Sequence, residues 1–173
     1  SRINHQVSIE PIVADVDHTN IRDYVGGVDL ILDGTDNFEI RFLINDISLD
    51  TGIPWIYAGC LGSHGQFMTI FPGKSACLRC LMDQVPDPGT TETCDTAGIL
   101  GPTVNILASF ECIQAMKILT AHIDEIEPML TIIDVWQASI RRMSIADLRE
   151  RADCPACRRG ERLWLSGGAG SRP

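Results

Sequence analysis

Apolar and polar positions in the first part of the chain form short runs that turn residues separate. Residues 7–13 begin with alternating apolar and polar side chains, which predicts a half-buried strand. A short helix is expected over residues 20–25, with Thr19 as its cap and the glycines at 26–27 as its end. The run VDLIL at residues 28–32 is typical of a buried parallel strand.

A longer helix is predicted after the turn at residues 33–36, and Gly52 ends it. One face of this helix is broadly apolar, and a polar stripe recurs every four residues at Asn37, Arg41 and Asn45. A buried strand over 55–60 then leads through a glycine-rich turn into a strand over 66–71. So short a link predicts an antiparallel hairpin, and the sheet is therefore mixed.

The second half of the chain contains a long apolar segment between polar stretches. Residues 83–96 are rich in Pro, Gly, Thr, Asp and Glu, which predicts a mobile loop. Residues 102–121 are apolar on nearly every side, which indicates a core helix or a subunit interface. Residues 129–136 and 139–145 are predicted to form a further hairpin, and residues 161–173 a disordered tail, with Trp164 as the residue that docks the tail or a neighbour. The predicted fold is α/β, a Rossmann-like mixed sheet flanked by helices, with parallel strands followed by antiparallel hairpins.

Composition limits the classes of function. The chain has 173 residues, 45 % of them apolar, which suits one domain with a sizeable core. A net charge of −9 argues against a nucleic-acid partner, because such binders need clustered Lys and Arg. No apolar run reaches the roughly 20 residues that span a bilayer, and the N-terminus lacks the layout of a signal peptide. We therefore expect a cytoplasmic protein without a membrane partner.

The seven cysteines include two Cys-x-x-Cys pairs, CLRC at 77–80 and CPAC at 154–157. Each pair places two thiols on one tight turn, from which both sulfurs can approach a tetrahedral ion at about 2.3 Å. Unrelated structural thiols are the alternative, but two such pairs favour zinc, with Cys77, Cys80, Cys154 and Cys157 as ligands. Four thiolates leave no position for a substrate, so the predicted role of the zinc is structural.

The other three cysteines need separate explanations. Cys60 and Cys112 fall in a predicted strand and an apolar helix, where free cysteine is usually part of the core. Cys94 lies in the polar loop, and is either an incidental thiol or a reactive one.

The acidic turn DGTDN at residues 33–37 follows the predicted parallel strand. Thr35 or Asp36 could simply be the N-cap of the next helix. However, open α/β sheets bind ligands at the carboxyl ends of their strands, and a carboxylate there suits Mg²⁺ held against nucleotide phosphates.

The motifs and their order extend the argument beyond single residues. In sequence they are DLILDGTDNFEIRFLIND, GIPWIYAGCLGSHGQFMTIFPG, CLRC, TCDTAGILGP, ECIQAMKIL and CPAC. This order resembles the ubiquitin-activating-enzyme-like superfamily, and within it the bacterial ThiF/MoeB/HesA family, over nearly the whole chain up to Cys157.

The resemblance implies an ATP-dependent adenylyltransferase that activates the C-terminal glycine of a ubiquitin-like sulfur-carrier protein, as in thiamin or molybdopterin biosynthesis. It implies that Asp36 helps to hold Mg²⁺ and ATP, and that Asn37, Arg41 and Asn45 support that site. It assigns the four paired cysteines to structural zinc. It also implies that Cys94 can form a covalent link to the carrier, and, with the apolar helix, that the protein is a homodimer.

One family feature is missing from the sequence. Family members begin with a phosphate-binding Gly-x-Gly-x-x-Gly loop, and no such loop occurs here. Residues 1–160 are therefore interpreted as the C-terminal portion of an activating domain without its nucleotide-binding half. Two alternatives are a zinc-stabilised module that binds a carrier protein without catalysis, and the second half of a nicotinamide-dependent oxidoreductase.

Overall fold

A computed structural model of the protein describes residues 4–86, 94–151 and 153–168. These residues form five strands and six α-helices, with one short 3₁₀ turn at Ile123–Glu125. The strands are β1 (Ile31–Leu32), β2 (Trp55–Leu61), β3 (His64–Ile70), β4 (Met129–Asp134) and β5 (Ser139–Ser144). The helices are α1 (Ile21–Val25), α2 (Phe38–Thr51), α3 (Leu78–Leu81), α4 (Cys94–Ala97), α5 (Gly101–Leu119) and α6 (Leu148–Arg151).

The five strands form one mixed sheet in the order β1-β2-β3-β4-β5. Strand β1 pairs with β2 in parallel, with Ile31 opposite Trp55, and all later pairings are antiparallel. The connections β2–β3 and β4–β5 are the two hairpins that the sequence predicts. The predicted fold class, a mixed sheet flanked by helices, is confirmed.

Two apolar clusters lie on opposite faces of this sheet. Trp55 and Tyr57 of β2 pack with α2 in the larger cluster, which also contains Cys77 and Cys154. Ala58 of β2 points the other way and packs with α5, where the Phe67 ring stacks on Phe110 with centroids 5.2 Å apart. This alternation along β2 follows from the two-residue period of a strand. The sheet thus lies between α2 and α5.

Local capping fixes the ends of α2. The side chain of Asn37 accepts a hydrogen bond from the Ile40 amide, so Asn37 is the N-cap, and neither Thr35 nor Asp36, the two alternatives from the sequence, takes that position. Gly52 has φ 80° and ends the helix in the left-handed conformation that glycine adopts without strain. The N-cap position of the first helix is Asn20 and not Thr19, and the Asn20 side chain makes no capping hydrogen bond to that helix.

The predicted strand over residues 7–13 is wrong. This segment is irregular, and Val7, Ile9, Ile12 and Val13 are each more than half exposed. A strand needs a neighbour for its amides and carbonyls, and within the described chain nothing pairs with this segment. The predicted strand at residues 28–32 is shorter than expected, because only Ile31 and Leu32 pair with β2.

The C-terminal segment also differs from the prediction of a disordered tail. Residues 161–168 pack against α2, whereas residues 169–173 lie outside the described residues. The physical reason is that Trp164 buries part of its indole ring and finds hydrogen-bond acceptors for its backbone.

Helix α5 is apolar on faces that the sheet does not cover. Its buried residues are Thr103, Leu107, Glu111 and Ala115, whereas Val104, Ile106, Ile113, Met116 and Leu119 are exposed. Among the helices of the described chain, none is long and apolar enough to cross a membrane.

Candidate functional site

The two Cys-x-x-Cys turns meet in space, as their spacing predicts. The four sulfurs of Cys77, Cys80, Cys154 and Cys157 all lie within 4.8 Å of one another. Sγ–Sγ distances are 3.6 Å for Cys77–Cys154, 3.4 Å for Cys80–Cys157 and 3.8 Å for Cys77–Cys80. Sulfurs bound at about 2.3 Å to one tetrahedral ion would be about 3.8 Å apart. The four thiols therefore match a closed tetrahedral metal site.

Backbone hydrogen bonds shape each cysteine turn. The Cys80 amide donates to the Cys77 carbonyl at 3.0 Å, and the amides of Arg158 and Arg159 both donate to the Cys154 carbonyl at 3.1 Å. The first turn is also fixed from α2, because the Leu78 amide donates to Asn45 Oδ1 at 2.9 Å. Asn45, the last member of the polar stripe, thus connects α2 to the four-cysteine centre.

The four thiols of the centre shift one another's pKa. Contact with the Cys154 thiol raises the pKa of Cys77, whereas contact with the Cys157 thiol lowers the pKa of Cys154. Without a cation, the Cys154 sulfur ionises readily, because neighbouring thiols that keep their protons donate hydrogen bonds to it. A soft divalent ion allows all four sulfurs to ionise, which is the chemistry that this donor set suits.

The acidic turn after β1 is organised around Asp33, which is 5 % exposed. Its Oδ1 accepts from the Thr35 amide and from the Thr35 hydroxyl, at 2.9 and 2.6 Å. Its Oδ2 accepts from Arg41 Nε at 3.2 Å and from the Ala58 amide at 3.4 Å. Both carboxylate oxygens of Asp33 therefore accept hydrogen bonds that hold the turn against α2 and β2.

Arg41 is the cationic partner in this arrangement. Its side chain is only 9 % exposed, and it also donates to the Thr35 carbonyl. The guanidinium lies 5.8 Å from the centre of the Tyr57 ring and 5.9 Å from that of Phe38. A buried pair with these contacts fixes the turn, which agrees with a supporting role for Arg41.

Asp36 has a different environment from Asp33. It is exposed, and its Oδ1 accepts from the Asn37 side chain at 3.2 Å. Asp36 and Asn37 both line a cavity of about 560 Å³ between the segment 14–18, the start of α2 and the C-terminal segment. The cavity wall includes four acidic residues, Asp15, Asp17, Asp36 and Glu39. Mg²⁺ prefers oxygen ligands such as carboxylates, and the role of Asp36 in a Mg²⁺ site stays a prediction.

The residue that sequence reasoning missed is Glu111 on α5. It is 9 % exposed, and its Oε1 has no hydrogen-bond partner among the described residues. Burial, and secondarily the charge of Asp33, raise the pKa of Glu111 to about 7. The signal that could have identified it is a single acid in a helix that is otherwise nearly free of charge.

Cys94 is the first residue of α4, and its side chain lies outside the described residues. The chain after α4 is anchored to the β2–β3 hairpin, because the Gly62 amide donates to the Gly98 carbonyl and the Leu100 amide donates to Gly62. Of the predicted loop over residues 83–96, residues 87–93 are likewise outside the described part. The predicted reactivity of Cys94 stays a prediction.

Known proteins of one family match this chain over most of its length. A model of the ThiF family matches residues 1–156. The sulfur carrier protein ThiS adenylyltransferase of Bacillus subtilis is 40 % identical over 155 residues, which are 90 % of this chain and 45 % of that protein. The SAMP-activating enzyme E1 of Haloferax volcanii is 33 % identical over 158 residues, 91 % of this chain and 57 % of that protein.

A crystal structure of E. coli MccB with AMPCPP and MccA has the same fold. It superposes with a TM-score of 0.71 over 90 % of this chain and 47 % of that one, at 17 % identity. The chain thus spans about half the length of the curated relatives it matches.

Proposed function

The chain belongs to the ThiF family, and from this membership we propose that it is the C-terminal portion of an adenylyltransferase that activates a ubiquitin-like sulfur-carrier protein with ATP. The observation that supports this function best is the exposed Asp36 at the cavity beside α2. It follows the parallel strand β1, where α/β sheets bind nucleotides. The nucleotide-binding half is proposed to precede residue 1, since family members open with the glycine loop that this chain lacks.

The reaction joins two negatively charged groups. A C-terminal carboxylate oxygen of the carrier attacks the α-phosphorus of ATP, the bond from that phosphorus to the bridging oxygen breaks, and pyrophosphate leaves. The product is an acyl-adenylate. A bound Mg²⁺ supplies positive charge that offsets the charge of the phosphates.

The residues of this chain have distinct proposed roles in that reaction. Asp36 holds the divalent ion through its exposed carboxylate. Asn37 keeps the start of α2 in place as its cap, and the buried Arg41–Asp33 pair fixes the turn from which Asp36 projects. Each supporting residue therefore acts through the position of Asp36.

The four-cysteine centre is proposed to hold zinc in a structural role. All four protein ligands are thiols that already lie close together, which leaves no position for a substrate. The ion would tie the C-terminal turn to the segment after β3. Bound zinc therefore contributes to folding rather than to chemistry.

Three further parts of the proposal concern the whole protein. Cys94 is proposed to form a covalent link to the carrier after adenylation, when its thiolate displaces AMP from the acyl-adenylate. The exposed apolar residues of α5 support a symmetric homodimer with this helix at the interface. The free, closely spaced thiols suit the reducing cytoplasm.

Carrier-dependent exchange of pyrophosphate into ATP tests this function, with protein that includes the upstream half. Exchange that requires a carrier with an intact C-terminal glycine is the expected result. Binding of the carrier without exchange would instead favour a binding module, and binding of NAD in place of ATP would favour an oxidoreductase. Either of these results would overturn the proposal.

A further inference from the structure

Residues 161–168 turn back from the four-cysteine centre onto α2. The Glu161 amide donates to the Pro155 carbonyl at 2.8 Å, and Arg162 Nη1 donates to the Ala156 carbonyl at 2.7 Å. Both acceptors lie within the second cysteine turn. This segment, which we call the strap, therefore starts from a position that the turn determines.

Asp46 of α2 holds the middle of the strap. It is fully buried, and its Oδ2 accepts from the Trp164 amide at 2.9 Å and from the Leu165 amide at 3.4 Å. One helical turn earlier, the Phe42 ring packs on the Trp164 indole with centroids 5.4 Å apart. Two residues on one face of α2 thus fix both the backbone and the side chain of Trp164.

The charge of Asp46 connects the strap to the first cysteine turn. Burial raises the pKa of Asp46, while the positive charges of Arg79 and Arg162 oppose that shift. Arg79 belongs to the first cysteine turn, is 8 % exposed, and has two guanidinium nitrogens without a partner in the described chain. Asp46 therefore interacts electrostatically with one arginine from the first turn and one from the strap.

The far end of the strap forms part of the cavity that contains Asp36. Trp164 and Gly167 line it together with Ile40 and Leu43. Gly167 also lies against the segment 14–18, because a Cβ added at Gly167 would come within 2.8 Å of His18 Nε2. The strap thus forms the wall that joins α2 to that segment.

We propose that Asp46 is a positioning residue that, together with the four-cysteine centre, holds Trp164 in place as a wall of the Asp36 cavity. The assignment of a nucleotide to that cavity rests on the proposed function. The metal centre then has a second consequence besides stability, since it sets the shape of a ligand cavity through the strap. A change at Asp46 is expected to alter the cavity without removing the metal.

Tryptophan accessibility tests the docking of the strap in the 173-residue chain. Trp136 is 76 % exposed and Trp55 is fully buried, so a Trp136→Phe background leaves Trp164 as the informative indole. Asp46→Asn in this background, or chelation of the metal, should each make Trp164 more accessible to acrylamide than it is in the wild type. Asp50→Asn is the matched control, because Asp50 lies on the same helix but pairs with Arg22 at the surface. Asp46→Asn protein with a shielded Trp164 would overturn the proposal.

Hydrogen exchange followed by mass spectrometry tests whether the strap forms a wall of the Asp36 cavity. Release of the strap should accelerate exchange in residues 14–18 and 36–43 and leave β4 and β5 unchanged. Unchanged exchange in both cavity segments, with Trp164 released, would contradict the link to the cavity. If Asp46→Asn fails to fold, Arg162→Met removes the bond to Ala156, and a Trp164 that is no more accessible in that variant than in the wild type would count against the proposal.

Kinetics separate this inference from the proposed function. In protein with the upstream half, Asp46→Asn should raise the KM for ATP more than it lowers kcat, with metal content retained. An unchanged KM would overturn the role in the cavity. If wild-type protein exchanges no pyrophosphate, the proposed function fails, and accessibility and hydrogen exchange still decide whether the strap is held as described.

Discussion

The four-cysteine centre and the Asp36 cavity both lie against α2, but the centre is largely closed to solvent and the cavity is open to it. The centre is largely buried, and this chain supplies four sulfur ligands within 4.8 Å of one another. The cavity is open, its acidic residue Asp36 is exposed, and its wall combines four acidic residues with His18. A closed set of ligands stabilises a fold, whereas an open acidic wall is suited to a cation and to a ligand that the cation accompanies.

The largest expected effect follows from removing one ligand of the four-cysteine centre. Cys154→Ser should abolish metal binding and lower the melting temperature by at least about 10 °C, because the binding energy of a structural ion is folding energy. Elemental analysis and thermal unfolding are the measurements. Cys112→Ser is the control, since Cys112 lies outside the centre and is exposed, and the prediction that places it in the core is wrong. A Cys154→Ser protein with full metal content would remove the zinc assignment.

The next effect concerns the buried Arg41–Asp33 pair, which fixes the turn that contains Asp36. Arg41→Met leaves the Asp33 carboxylate buried without its cation, which should cost about 3–5 kcal/mol of unfolding free energy. Denaturant titration measures the loss. Arg22→Met is the matched change in an exposed pair with Asp50, and should cost at most about 1 kcal/mol. Equal losses in the two variants would mean that Arg41 is not the support of the turn.

A smaller effect separates two roles of Asn37. Asn37→Ala should cost about 1 kcal/mol through loss of the helix cap, and Asn37→Ser should restore most of that stability because serine caps well. If Asn37 acts only as a cap, pyrophosphate exchange should recover in the serine variant together with stability. Recovery of stability without recovery of exchange would instead make Asn37 a direct ligand.

Glu111 gives an effect of a different kind, a dependence of stability on pH. Its folded pKa of about 7 lies above the ordinary 4.5, so the folded state retains a proton that the unfolded state releases. Stability should therefore fall as pH rises from 4.5 to 7 and level off above 7. Glu111→Gln should remove this component, and the advantage of the variant over wild type should grow across that window. An advantage that does not change with pH would show that burial does not perturb this carboxyl group.

The sequence predicted features that depend on local spacing. The spacing within each Cys-x-x-Cys pair predicted two tight turns, and the short links predicted both hairpins. Apolar periodicity predicted helix α2, and Gly52 predicted its end. In the structure Gly52 has φ 80°, a conformation that depends only on the local backbone. These features need little information from distant parts of the chain.

The features that the sequence did not predict depend on distant partners. The alternation in residues 7–13 is real, but no neighbouring strand is present in the described chain to pair with it. The ordered strap depends on Asp46, which lies 118 positions before Trp164. Glu111 is unusual because the packing of α5 buries it and, secondarily, because it lies near Asp33. Side-chain chemistry predicts such residues only when the fold is known.

The measurement that tests the central claim most directly is carrier-dependent pyrophosphate exchange by Asp36→Asn protein that includes the upstream half. The amide keeps the shape of the side chain but loses the charge that holds the divalent ion. We expect exchange to fall by orders of magnitude while metal content and folding stay those of the wild type. Near-normal exchange by this variant would contradict the account, and Asp36 would then be an ordinary surface residue at the start of α2.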